Sequence, residues 1–412
     1  MASVLATKDS RAIVSVKTHN GTSANLPEHQ ARAQFVPTVE VIRSYTANVQ
    51  GNFSSYSEFL LSPEQLPDIC DKFTLALVVP AVTVTGTTVV SFVNDASFWQ
   101  RLIEVSIGPE LVSSLLPEAS YINNVCHLDT ETKFKVLPAL GNAGLTARKA
   151  AALTTQTIFM DIPLPFVQRY GWLTKSHAQA LRFRIYHADL PSILQTVGTA
   201  PVCVLSSVTM NVSGRNYLNQ ANLSAVIQNQ RKLGHVDTRI LDPVQMQTSL
   251  AAGSTQYTVQ LTSLIGVFDS ISFVVRLAAS VGTPLANDPT AFVPVTSFNL
   301  KDSAGNLLTP EISSAYALGP LAAKFCKGDL TDINSGLGSV QKYIYTINFG
   351  SRPEESLHKG TQHGFLRLDG LAKIQLTFPS AIAASVVDVI GWQWAQISAD
   401  AGGMIKKTVV VA

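Results

Sequence analysis

Gly, Pro, Asn and Asp interrupt the apolar pattern of this chain at short intervals, and the runs between them are too brief for long helices. From Phe35 onward those runs are β-like: Val39–Tyr45, Phe73–Val79, Val82–Val93, Leu102–Ile107, Thr157–Ile162, Leu181–Tyr186 and Val202–Val212. A second series follows Asp242-Pro243 and comprises Gln256–Leu261, Phe268–Leu277, Val293–Leu300, Lys342–Phe349, Leu371–Phe378 and Val386–Trp394. Many short strands separated by turn residues specify a sandwich or a barrel. Asp302-Ser303-Ala304-Gly305-Asn306 has the chemistry of a turn between two of them. Helical candidates are few. Leu111–Val125 and Ala143–Leu153 are two, and Tyr217–Arg231 is polar enough for a helix or an exposed connector.

Two successive β series of comparable length imply two sandwiches side by side. The 412 residues fit two domains of ordinary size. No sequence-level repeat links the halves, so the duplication is one of architecture. Residues 1–33 are polar, without a sustained period, and read as an N-terminal arm. The expected division is that arm, a first sandwich at 34–240 and a second at 241–412.

Only 14% of residues are charged, against 46% hydrophobic, and mean hydropathy is +0.21. Soluble monomers usually carry about a quarter charged residues. Such a chain must hide surface in a membrane, a large core or subunit contacts. The uncharged stretch Phe73–Val93 is long enough to span a bilayer. Pro80, Gly86 and alternating Thr and Val favour two buried strands and a turn there instead. The N-terminus lacks the basic start and apolar core of a secretory signal. Net charge is +2 with Lys and Arg scattered, so no direct sequence-specific nucleic-acid binding is expected. Cys70, Cys126, Cys203 and Cys326 lie far apart and read as free buried thiols.

No GxSxG, HExxH, Walker or GxGxxG pattern occurs, and neither an enzyme nor a cofactor is expected. His358 and His363 flank a loop glycine and read as solvated. His177 and His187 lack a nearby partner set for zinc. Glu354-Glu355, after Pro353, reads as a solvent-facing pair rather than a general acid and base. Trp392 and Trp394, two apart, share a strand face and suit a core or an interface better than a sugar platform.

The most specific segments are Ile162-Pro163-Leu164-Pro165-Phe166 and the stretch from Tyr343 to Phe378. In the first, two prolines forbid regular ladder bonding, and Leu164 and Phe166 can anchor the segment. The second sets two alternating strands around Arg352-Pro353-Glu354-Glu355, Gly360-Thr361 and Phe365-Leu366-Arg367-Leu368-Asp369. Arg367 and Asp369 share a strand side and can pair with each other or with a neighbouring strand. With Phe35–Thr46 and Leu102–Gly108 in the same order, the chain resembles the double jelly-roll major capsid proteins of large double-stranded DNA viruses, the nucleocytoplasmic large DNA virus type. It departs from that family at Ser62–Asp68, where relatives have an asparagine-glycine-aspartate turn.

The resemblance implies an all-β fold of two successive eight-stranded jelly-roll β-sandwiches, with few short helices in loops. It implies a homotrimeric, pseudo-hexagonal capsomer that tiles an icosahedral shell beside neighbouring capsomers. Minor capsid proteins are implied partners, with an internal membrane as a partner of the N-terminal arm. The implied location is the virion, after assembly in the host cytoplasm. A β-sandwich carbohydrate- or receptor-binding protein of spike or lectin type is the alternative. An exposed loop bearing Trp392 and Trp394 would favour it.

Overall fold

The computed structural model describes residues 38–409 except 84–88, 93–94, 128–144, 165, 168–171, 198–201, 222, 225–226, 228–235, 281–289, 323–330, 333–339, 350–364 and 400–403. Eight strands build a first unit: β1 (Thr38–Thr46), β2 (Tyr56–Leu61), β3 (Ile69–Val79), β4 (Gln100–Ile107), β5 (Glu110–Leu115), β6 (Gln156–Ile162), β7 (Leu181–His187) and β8 (Ser207–Tyr217). They pair in two antiparallel sheets, ordered β1-β8-β3-β6 and β2-β7-β4-β5. Eight more follow: β9 (Val236–Leu250), β10 (Gln256–Gln260), β11 (Ile265–Leu277), β12 (Ser297–Lys301), β13 (Ile312–Ser313), β14 (Tyr345–Asn348), β15 (Lys373–Thr377) and β16 (Ser385–Ala399). Their sheets run β9-β16-β11-β14 and β10-β15-β12-β13. Adding eight to each label of the first unit yields the second. This strand order, used twice, is that of a jelly roll, and the chain is a double jelly roll.

Alternation explains which side of each strand goes inward. β7 alternates buried Leu181, Phe183, Ile185 and His187 with half-exposed Arg182, Arg184 and Tyr186. In the first sandwich Phe73 of one sheet meets Phe183 of the other at 5.1 Å between ring centres. In the second, Phe273 sits 5.0 Å from Phe298 across the sandwich and 5.2 Å from Tyr345 in its own sheet. Offset and edge-on aromatic contacts of this kind add to the burial of their large surfaces.

Several boundaries differ from those read in the sequence. Leu111–Val125 is not one helix: β5 occupies Glu110–Leu115, and helix α1 runs Pro117–His127. Pro117 suits a first helical turn, where a missing N–H costs nothing, and it separates the two elements. β2 was hidden because the inward side of YSEFLL begins with Ser57 instead of an apolar residue. Asp242-Pro243 does not precede the second series but lies inside β9, an edge strand on which proline removes no needed donor. β8 starts at Ser207, five residues later than the run at Val202, and continues to Tyr217. The uncharged Phe73–Val93 divides between β3 and a short strand at Val89–Phe92. Among the described residues no helix is long and apolar enough to cross a membrane.

Phe273→Ala should test the second core. Removing a ring that is fully buried against Phe298 and Tyr345 is expected to cost about 3–5 kcal/mol. Urea unfolding of the full chain measures this, and a loss under about 1 kcal/mol would refute the packing described.

Candidate functional site

The sheet β9-β16-β11-β14 is dry on both faces. One face of β11 (Ile271, Phe273, Val275) fills the second core. The opposite face joins Val274, with Ile390 of β16 and Ile344 just before β14, to the core cluster of the first sandwich. What covers this outer face is β5 of the first sandwich and α1, which follows it: Tyr121 of α1 lies 5.9 Å edge-on from Phe292.

Two charged residues sit within apolar strand runs on the covered face, Arg276 in ISFVVRL and Asp388 in SVVDVIG. Arg276 Nε donates to Asp388 Oδ2 at 2.8 Å, and its Nη2 donates to Glu118 Oε1 of α1 at 2.6 Å. Gln247 donates to Asp388 at 2.8 Å, and Gln245 to Glu118 at 3.0 Å. Burial pushes the Asp388 carboxyl up, to about 6, against the pull of Arg276. One cation from the second sandwich is thus shared by a carboxylate from each.

A further strand, Ile405–Val409, pairs with the end of β16 and reaches back to the first sandwich. The Ile405 and Lys407 amides donate to the side chains of Gln179 and Glu110, both at 3.1 Å. The Lys407 ammonium binds Asp242 of β9, which also receives Ser113 of β5 at 3.5 Å. Apart from Asp242, read only as part of a boundary, none of these residues stood out in the sequence. A lone charge inside an otherwise apolar strand was the available signal, since a buried charge requires a partner.

The residues singled out by motif fall elsewhere. Ile162 ends β6, an edge strand, and the chain turns at once: Leu164 N bonds Ile162 O, and Val167 N bonds Leu164 O. Leu164 and Phe166 are buried in the first core, Pro163 is half-buried, and Pro165 lies outside the described residues. Arg352, Pro353, Glu354, Glu355, Gly360 and Thr361, with His358 and His363, also lie outside them. Phe365 is exposed, and Leu366–Asp369 forms a short strand on β11 in which Arg367 and Asp369 point outward. The Asp369 carboxylate accepts the Leu371 amide at 2.9 Å and closes the turn at Gly370, whose φ of +80° suits glycine.

Ser57 and His187 are hydrogen-bonded at 2.8 Å. Gly51 N also donates to Ser57 Oγ, at 3.0 Å. Both residues are sealed in the core, and no carboxylate orients the ring. The pair is closed to any substrate. Burial lowers His187 to about 4, and His177 likewise. Among the described residues no cluster of His, Cys, Asp and Glu could hold a metal, and Cys70 and Cys203 are buried free thiols. Trp394 is buried and Trp392 half-buried against the first core cluster, both on β16 and not on a loop. They offer no platform to a sugar.

The covered sheet and the repeated strand order define the class, a two-sandwich double jelly-roll protein. Solved viral proteins share that fold over nearly the whole chain. PBCV-1 VP54, fitted into a reconstruction of the virophage Sputnik, superposes with a TM-score of 0.66 at 10% identity, over 91% of this chain and 98% of its own. The Faustovirus major capsid protein gives 0.58 at 9% identity over 99% and 97%. A chain of the Sputnik virophage gives 0.63 at 10% identity over 91% and 89%. No family model and no curated protein matches the sequence. The likeness is therefore carried by the fold.

Two measurements test this region. Arg276→Met strands two buried carboxylates and should cost about 3–5 kcal/mol, most of it recovered when Glu118 and Asp388 are also made apolar. A single-variant loss below about 1 kcal/mol would dismiss the network as a tie. The second concerns acid. His177 and His187 have folded pKa values below the ordinary 6.5, so the unfolded chain binds two more protons as pH falls from 6.5 towards 4. Asp388, raised from 3.8, opposes them with one proton held by the fold. Net stability is present above pH 6.5 and declines towards pH 4. His187→Gln should flatten that decline in urea titrations at stepped pH; an unchanged slope would contradict the assignment.

Proposed function

We propose that this chain is a major capsid protein of a double-stranded DNA virus, a structural subunit without catalytic activity that resides in the virion. The observation that carries this reading is the strand order used twice in one chain, with the two sandwiches locked edge to face. It is supported by the shared fold with PBCV-1 VP54 and the Faustovirus major capsid protein along nine-tenths or more of the chain. The mechanism is geometric. Two similar sandwiches held at a fixed angle make one third of a hexagonal outline, and three chains complete it. Hexagonal blocks tile a shell without gaps, and six walls of β-sandwich resist shear better than flexible linkers would. The low charge content fits a subunit whose faces become contacts.

Light scattering behind size-exclusion chromatography is the direct test. The purified full chain at micromolar concentration should elute at three times its 44.2 kDa mass. Negative-stain images should show blocks of hexagonal outline. A monomer that forms no larger particle under any salt condition would reject the capsid reading.

A further inference from the structure

The strand Ile405–Val409 is held to β9 by a buried ion pair. Lys407 Nζ meets Asp242 Oδ2, and the two side chains are only 16% and 9% exposed. Other lysines that meet a carboxylate do so in water: Lys72 is half exposed, and the Glu64 that Lys175 meets is 90% exposed.

The surroundings of the buried pair are dry. Lys407 stands opposite Ile397 of β16, and Asp242 stands opposite Gln393. Between those two rows, on the same sheet face, lie Ile240 and Ala395, both buried in the cluster that joins the sandwiches. From the first sandwich, Ser113 of β5 is fully buried and donates to Asp242 Oδ1 at 3.5 Å. The two carboxylate oxygens therefore have different partners, a hydroxyl on Oδ1 and an ammonium on Oδ2. Burial raises the Asp242 carboxyl above its ordinary 3.8, against the pull of Lys407. An ion pair without water gives up much of the hydration that keeps both groups charged, and proton transfer to neutral amine and acid becomes accessible. An amine held on an acid is the reactant pair of amide formation, and fixing both in contact replaces a bimolecular encounter.

We propose that Lys407 and Asp242 condense in the folded chain to an isopeptide bond, which locks the last strand covalently to the first strand of the second sandwich. The ammonium carries three protons. One moves to Asp242 Oδ2, and the freed lone pair attacks Asp242 Cγ while the Ser113 hydroxyl steadies the charge that builds on Oδ1. The Cγ–Oδ2 bond then breaks, a second proton leaves with that oxygen as water, and the amide nitrogen keeps the third. Two ions become two neutral products, and nothing is oxidised or reduced. Ser113, Asp242 and Lys407 come from three separate strands, so the bond forms only after the sandwiches have docked and the last strand has paired. It closes a loop between residues 165 apart in sequence, and a cross-link over so long a loop restricts the unfolded chain strongly. The inference does not depend on the capsid reading.

Intact mass spectrometry of the full chain tests it. The folded wild type should be lighter, by the mass of one water molecule, than the same chain kept denatured since synthesis. Lys407→Arg keeps a cation against Asp242 but has no amine to acylate, and it should show the full mass. Protease digestion of the folded wild type, read by tandem mass spectrometry, should yield one branched peptide joining the segments around Asp242 and Lys407. A folded wild type at full mass overturns the proposal. So does a loss of water that persists in Lys407→Arg or maps to another pair of residues.

Discussion

A β-sheet with two dry faces constrains everything around it. Antiparallel sheets normally keep one face in water, and their strands alternate accordingly. β11 does not: from Gly266 to Arg276 it is buried throughout. Its second face must be covered by something, and any charge on that face must be neutralised there. Arg276 and Asp388 make the requirement specific. Removing an ion pair from water costs several kcal/mol per charge, which only close, well-bonded partners offset. The partner for Arg276 comes from α1 of the other sandwich, so correct pairing of charge and correct docking of sandwiches are one event. The Ile405–Val409 strand adds a backbone tie on the same side, with Lys407 on Asp242 as its anchor.

That arrangement also explains why the duplication is absent from the sequence. A jelly roll constrains strand order and the parity of inward side chains, not their identity. Phe73 and Phe273 do similar work in the two cores, yet their outward neighbours answer to different surroundings: Thr74 and Lys72 meet solvent, whereas Ser272 and Val274 meet another sandwich. Half the positions in each pair of matching strands are thus under unlike pressure. The two copies of the fold can keep one topology while sharing no readable motif.

The same reasoning sets how much was legible. Lys373–Thr377 was plain because Ile374 and Leu376 alternate with Lys, Gln and Thr on a sheet with one wet face. β2 was missed because its inward series opens with Ser57, which is there to bond His187. β13 is two residues long and leaves no periodic trace. Leu111–Val125 looked continuous because a strand and a helix abut with one residue between them, and only Pro117 marks the seam. The junction residues were invisible for a different reason. Glu118, Arg276 and Asp388 are far apart in the chain, and their relation exists only once both sandwiches have formed. The motif segments that are described, in contrast, were conspicuous for turn chemistry: Asp369 caps a turn at Gly370, and Pro163 follows the end of an edge strand at Ile162.

The contrast between the covered face and its uncovered counterpart in the first sandwich shows how surroundings set composition on sheets of one topology. The covered face presents Ile344, Val274, Ile390 and Trp392 to the first sandwich. At the matching positions the bare face has Phe159, Ala76, Asn211 and Ser213. A bare face as apolar as the covered one would be a large exposed patch on the free chain, and such patches aggregate. A face as charged as an ordinary surface would resist desolvation on contact. Small hydroxyl and amide side chains around Phe159 and Ile42, with Lys72 paired to Asp161 and Arg215 to Asp71, keep this face hydrated without a broad apolar patch. The difference between the two faces is written in the side chains at matching register positions of two sheets that otherwise fold alike.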